Sequence, residues 1–151
     1  MLLFFMGRIK ELFDQGRDYA FPRPPVCLRE GCKSARIWSH GYVDAYFEGY
    51  DTAFYLKRYV CADCGCVYKL RLFGYWPRHH VPVRIIFERL CHRVRNGVWG
   101  SQAFSRQRQG HWLRALGRNI KTYLGLSVGD DLLEGFHELF QSGQVPVKRL
   151  L

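Results

Sequence analysis

The stretch YVCADCGCVY, residues 59–68, places three cysteines within six positions of a β-rich run. Its Cys61-Ala-Asp-Cys64-Gly65 turn lets two thiolates converge, and the glycine relieves the backbone just past the second. Upstream, CLREGC (27–32) supplies another pair, Cys27 and Cys32, separated by four residues. Zinc takes four soft or borderline ligands in a tetrahedron, and small folds offer them as two close pairs from two turns. The 28 residues between the pairs are enough for a β-hairpin that returns the chain to the first turn. Cys27, Cys32, Cys61 and Cys64 are therefore the candidate ligands of a structural Zn2+. Four thiolates leave no open position for water, so the ion would hold the fold and do no chemistry.

The two other cysteines read differently. Cys66 falls on the strand leaving Cys64 and suits a small, half-buried position, with a Cys64/Cys66 ligand set as the alternative; Cys91, within a basic helix, suits a buried apolar one. A second site from His79, His80, Cys91 and His92 is not favoured. Use of Cys61 and Cys64 as a redox pair would need a βαβ context, which the aromatic-rich strands around them do not supply.

The surrounding pattern sets the fold class. RIWSHGYVDAYFEGYDTAFYLKRYVC (36–61) is rich in aromatic and β-branched residues punctuated by Gly41 and Gly49, predicting three or four short antiparallel strands across 27–73. Residues 1–19 read as an amphipathic helix, with Ile9, Leu12 and Phe13 opposite Arg8, Lys10, Glu11 and Asp14. FPRPPV (21–26) is a stiff linker. After FGYWPRHHVP (73–82), read as an aromatic hinge, the period lengthens. Val83, Ile86, Phe87, Leu90 and Val94 predict a helix entered at Pro82 and ended at Asn96-Gly97. Trp112, Leu113, Leu116, Ile120 and Leu124 predict another, capped by Ser105 and stopped by Gly125, with Gly110 and Gly117 weakening it. Leu132, Leu133, Phe136, Leu139 and Phe140 predict a third, behind Asp130-Asp131 and ending near Gly143. The expected class is α+β: a small antiparallel zinc ribbon followed by a three-helix, helix-turn-helix-like region. The segments are an N-terminal helix (1–20), the ribbon (21–75), a basic helical region (76–143) and a tail (144–151).

Charge narrows the function. The 151 residues carry 23 Lys/Arg against 13 Asp/Glu, a formal net charge of +10. Four thiolates on one zinc ion would bring this to about +8. Between Cys66 and Lys121 stand twelve Lys/Arg and a single acid, Glu88. So one-sided a segment repels itself unless it meets a polyanion, of which nucleic acid is the commonest. MLLFFM is too short to span a membrane and lacks the charged start and cleavage site of a signal peptide. A cytoplasmic protein is expected, nucleoid-associated if it binds DNA, with its thiols reduced.

The motifs CLREGCKS, GYVDAYF and RYVCADCG resemble the zinc ribbon of insertion-sequence transposases and their stand-alone relatives. They look like that family's C-x4-C-x-S opening, glycine-aromatic hairpin and R-Y-x-C-x-x-C-G close. NGVWGSQAFSRQRQGHWLRALGRNI (96–120) would take the helix-turn-helix position, so the resemblance runs from Cys27 to about Leu126. It implies a DNA-binding half without the acidic catalytic domain, which the residues after the basic helices are too few to form. A transposon-related regulator or accessory factor, not an enzyme, is the expectation.

Arg106, Gln107, Arg108 and Gln109 open the second of these helices, where recognition helices reach base edges; arginine suits guanine and glutamine suits adenine. Arg84, Arg89, Arg93, Arg95, Arg114, Arg118 and Lys121 are candidates for phosphate contact, and Lys57 and Arg58 are weaker ones. Duplex DNA is the preferred partner. RNA is the competitor, because Tyr75 and Trp76 beside Arg78 offer stacking platforms. A protein partner or homo-oligomer is the third reading, and no membrane partner is expected.

Overall fold

The strand FYLKRYVC (54–61) buries Phe54 and Leu56, then changes parity and buries Tyr59 and Cys61. Side chains alternate along a strand, so β3 turns opposite faces inward at its two ends. The partner strand accommodates the change with a register shift between Ser39 and Tyr42. One extra residue there adds twist and re-aims the side chains that follow.

The computed structural model describes residues 1–100, 103–125 and 131–148. It is an α+β chain with one four-stranded sheet and, among the described residues, four α-helices. It divides into two units, Met1–Val81 and Pro82–Leu151. In the first unit β1 (Leu2–Phe5), β2 (Ile37–Ala45), β3 (Phe54–Cys61) and β4 (Val67–Leu72) lie in the order β1-β4-β3-β2. The β2–β3 and β3–β4 pairs are antiparallel, as expected.

The N-terminus corrects the sequence reading. Residues 2–5 are a strand, not the start of a helix, and they pair parallel to β4 from Leu2 opposite Lys69 to Phe5 opposite Leu72. The sheet is therefore mixed. Six consecutive apolar residues have no polar face to give a solvent-exposed helix, whereas the free edge of β4 satisfies the peptide groups of the odd-numbered ones. Helix there consists of α1 (Ile9–Gln15), which buries Leu12, followed by a 3-10 turn, Gly16–Asp18. Phe5, Ile37, Phe47, Leu56, Tyr68 and Leu70 fill the core around it. Tyr75 stacks edge-on to Phe47 at 4.6 Å, and Arg71 donates to the carbonyls of Trp76 (2.8 Å) and His79 (3.0 Å). The aromatic segment after β4 is thereby tied back to its own sheet.

The second unit is helical. α2 (Val83–Asn96) begins after Pro82 and closes at Gly97. α3 (Arg106–Asn119) is capped by Ser105, whose hydroxyl accepts from the Arg108 N–H at 3.2 Å. It passes Gly110 and Gly117 unbroken and continues as a π-helical turn, Ile120–Leu124. α4 (Leu132–Gln141) is capped by Asp131, which accepts from Leu133 N–H (2.8 Å) and Glu134 N–H (3.3 Å). Asp130, the other half of the expected start signal, lies outside the described residues, as do Ser101, Gln102, Leu126 and the end of the tail. Ile86, Leu90, Trp112, Leu116, Ile120, Phe136 and Leu139 are all buried. A Cβ at Gly135 would sit 2.5 Å from Ile120 Cδ1, so only glycine lets α4 approach the π turn this closely.

Asn119 fastens the tail. Its buried amide donates to the carbonyls of Pro146 (2.7 Å) and Lys148 (3.0 Å). Asn119→Ala should leave those carbonyls short of a donor and cost about 1–3 kcal/mol, read as a lower thermal midpoint of the helical unit. An unchanged midpoint would mean the tail contributes nothing to stability.

Candidate functional site

The two cysteine pairs converge at the end of the sheet. Cys27 and Cys32 lie on the loop before β2, while Cys61 ends β3 and Cys64 occupies the turn into β4. The first loop is shaped by the Cys27 N–H donating to Ser34 O (2.7 Å) and the Cys32 N–H donating to Arg29 O (3.1 Å). The second closes through Cys61 N–H to Cys66 O and Gly65 N–H to Cys61 O, both 3.0 Å. Gly65 sits at φ +69, a left-handed conformation that costs glycine nothing.

The four Sγ atoms all lie within 4.8 Å of one another, with Cys27–Cys64 at 3.5 Å and Cys32–Cys61 at 3.7 Å. A tetrahedral ion with metal–sulfur bonds of about 2.3 Å needs sulfurs about 3.8 Å apart. All four thiols are free and too far apart to be disulfide-bonded. The cluster has the geometry to hold a metal ion.

Its electrostatics point the same way. Amide donation from Cys64 draws the Cys61 thiol down to about 6, helped by Asp63 and the neighbouring sulfurs. A hydrogen bond from the Tyr68 hydroxyl lowers Cys27. The Ser34 amide favours a thiolate at Cys32, yet burial and the three other sulfurs outweigh it and push that thiol up to about 12. Four thiolates cannot share this space without a cation, so the donors are set for more charge than the sulfurs alone sustain.

Tyr68 was not among the candidates from sequence, although strand alternation from Cys66 would have placed it beside the cluster. It is fully buried; its hydroxyl lies 2.9 Å from Cys27 Sγ and accepts from the Leu28 N–H at 2.9 Å. Burial, then the contact with Cys27, raises its own pKa, so the phenol remains protonated and donates. Cys66 is half-buried and stands outside the four-sulfur group. Arg29 donates to Cys64 O (3.2 Å), and Arg36 pairs with Asp63 at 2.9 Å.

Tyr68→Phe should weaken metal binding about tenfold, the usual scale for losing a hydrogen bond to a ligand. Without the donor the Cys27 thiolate is less stabilised and takes a proton more readily. Acid-induced metal release should therefore move to higher pH; a release curve identical to wild type would remove Tyr68 from the site.

The basic candidates separate by exposure. Arg106, Gln107, Arg114 and Arg118 on α3, and Lys121 on the π turn, are all exposed. At 3.6 residues per turn they share an arc of about 120°. Gln109, Trp112, Ala115, Leu116 and Asn119 are buried on the other side. Arg108 is only half-exposed and lies over Phe104 (5.3 Å) and Trp112 (5.8 Å).

Gln109 is corrected. It is wholly buried and donates to Phe104 O at 2.8 Å, so it holds the loop before α3 and cannot reach a base. Two residues along the helix from exposed Gln107 its direction has swung by about 200°, a distinction that position near the helix start does not reveal. On α2, Arg84 is exposed and paired with Glu88 (3.7 Å), Arg89 is half-buried, Arg93 lies over Trp99 (5.7 Å) and Arg95 is exposed. The α2–α3 connection spans nine residues, 97–105, rather than a tight three- or four-residue turn. Lys57 stacks on the Tyr42 ring at 4.1 Å, and Arg58 is half-buried. The Cys61–Cys64 turn joins antiparallel strands, not a strand to a helix.

No helix among the described residues is long and apolar enough to cross a membrane. Comparison with family models, with curated proteins and with solved structures finds no match to this chain.

Proposed function

We propose that this is a non-enzymatic, zinc-stabilised nucleic-acid-binding protein whose helical unit grips duplex DNA, in the role of a transposon-related regulator or accessory factor. One observation carries the reading. α3 and its π turn expose Arg106, Gln107, Arg114, Arg118 and Lys121 along one face with no acid among them. Among the described residues none of these cations forms an ion pair. Unpaired cations along one helix face suit contact with a phosphate backbone, and the N-terminal Arg106 and Gln107 are of the residue types that pair with guanine and adenine edges.

In this mechanism Zn2+ on Cys27, Cys32, Cys61 and Cys64 fixes the sheet unit. Arg114, Arg118 and Lys121, with Arg84 and Arg95 on α2, hold phosphates and set orientation. Arg106 and Gln107 read bases. Cytoplasmic and nucleoid locations fit that role.

RNA is the second reading, favoured by a specific feature of the sheet unit. Trp38 is 55% exposed on β2, with the Arg36 guanidinium 5.8 Å from its ring, an arrangement suited to stacking an unpaired base. Selection of bound sequences from a random duplex pool, with a single-stranded RNA pool as competitor, decides between them. An enriched duplex motif is expected. Enrichment of RNA would transfer the function to Trp38 and its neighbours, and recovery of neither would leave a protein-interaction module.

A further inference from the structure

β1 and β2 are the two edges of the sheet, and they are built in opposite ways. β2 carries the register shift between Ser39 and Tyr42 together with His40 and Asp44, features that discourage pairing with another strand. Residues 1–6, Met-Leu-Leu-Phe-Phe-Met, contain no charged side chain, no proline and no glycine, and the Met1 ammonium is turned inward to Val67 O at 2.6 Å. Met1, Leu2, Phe4 and Met6 are 39–78% exposed.

The hydrogen bonds show which peptide groups are spent. Lys69 N–H donates to Met1 O at 2.9 Å and Phe73 N–H to Phe5 O at 2.8 Å, so the odd-numbered residues point their backbone at β4. Along a parallel pair the N–H and C=O of Leu2 and Phe4 then point outward. Among the described residues nothing pairs with them. An open edge of this kind specifies its occupant as another extended strand.

We propose that β1 pairs with β1 of a second copy of this chain, antiparallel about a two-fold axis at Leu3. Leu2 of each copy then faces Phe4 of the other, closing about four N–H···O bonds between copies. Charge selects this surface. Two strongly basic molecules, +10 by formal count, repel wherever basic residues meet, and β1 offers a strand edge without charged side chains. The nearest cations on that face, Lys69 beside Leu2 and Arg71 beside Phe4, would stand three strand spacings from their counterparts. That is about 14 Å, beyond the ~8 Å reach of charge at physiological salt. The contact is isologous and the β2 edge is guarded, so assembly stops at the dimer instead of growing into fibres. Where the helical units read duplex DNA as proposed above, the pair would select a two-fold-symmetric site; the dimer itself does not depend on that reading.

The test uses the metal-loaded full chain without nucleic acid. Sedimentation equilibrium from about 1 to about 100 µM should show a monomer–dimer equilibrium, the range fitting a short strand contact. Over the same range, amide exchange at Leu2 and Phe4 should slow with concentration, while Leu3 and Phe5 stay protected throughout. Phe4→Lys and, separately, Leu2→Lys should abolish the dimer across that range, with metal content and thermal midpoint unchanged. A monomer at every concentration with fast exchange at Leu2 and Phe4 overturns the proposal. So does a dimer that survives both substitutions, or assembly into open higher oligomers.

Discussion

Cys61→Ser is expected to abolish metal binding and the cooperative unfolding of the sheet unit. Cys61 is 1% exposed, its sulfur is 3.7 Å from that of Cys32, and its amide closes the turn into β4. Serine replaces a large, soft thiolate with a short, neutral oxygen that zinc ligates poorly, leaving the other three sulfurs crowded without their ion. A structural zinc contributes about 10–16 kcal/mol to folding. That matches or exceeds the ~5–15 kcal/mol net stability of a typical domain, so losing the ion outweighs the core it organises. Metal analysis should fall from one equivalent to none, with loss of the near-ultraviolet signal of Tyr59 and Tyr68. The helical unit, whose core of Leu90, Trp112, Leu116 and Leu139 includes no ligand, should keep its far-ultraviolet signal. Cys66→Ser is the matched control and should retain the ion, because Cys66 stands outside the four-sulfur group. A Cys61→Ser chain that still carries one equivalent would refute the ligand assignment. The same site sets a pH dependence. A thiol drawn down to about 6 in the folded state contributes stability above the ordinary thiol range and loses it as pH falls through 6. Acid should therefore release the metal, and alkali should not.

The four-cysteine cluster was legible in the sequence because its information is local: two short turns each present a pair of sulfurs, and antiparallel pairing of β2 with β3 is enough to bring them together. Ser105 and Asp131 were legible for the same reason, since a cap acts on amides two or three residues away. The N-terminal strand was not. Whether LLFF is helix or strand depends on an open edge of β4 more than sixty residues later, and parallel pairing of so distant a segment leaves no mark on local period. Gln109 failed for a subtler reason. A glutamine beside arginines in a helix's first turn reads as surface, but two helical residues on, the direction has swung by more than half a turn. Its burial is decided by Phe104, whose carbonyl would otherwise lack this donor. Tyr68 shows the converse case, where alternation carried the signal and the hydroxyl's role emerged only when Cys27 arrived from the other loop.

Converting Arg106, Arg114, Arg118 and Lys121 together to alanine is expected to lower duplex affinity by roughly a hundred- to a thousandfold at physiological salt, while folding is preserved. All four are exposed and unpaired among the described residues, so each substitution should move stability by no more than about 0.5 kcal/mol. Each phosphate contact releases counterions and adds about 0.9 to the slope of log affinity against log salt. Losing the contacts of Arg114, Arg118 and Lys121 should therefore flatten the slope by about 2–3. The three should weaken all sequences alike, because phosphates carry no sequence information. Arg106 is different. At the start of α3 it is the arginine proposed to read a base edge, and Arg106→Ala alone should cost about 1–3 kcal/mol on the selected motif and much less on random duplex. The two effects separate contact from readout: a flattened slope with intact selection would keep α3 on the backbone and move readout elsewhere. Unchanged affinity and unchanged slope in the fourfold variant would remove α3 from the interface altogether. The exposed cations would then be a solvated face, and Trp38 with Arg36 would become the first place to look for a ligand.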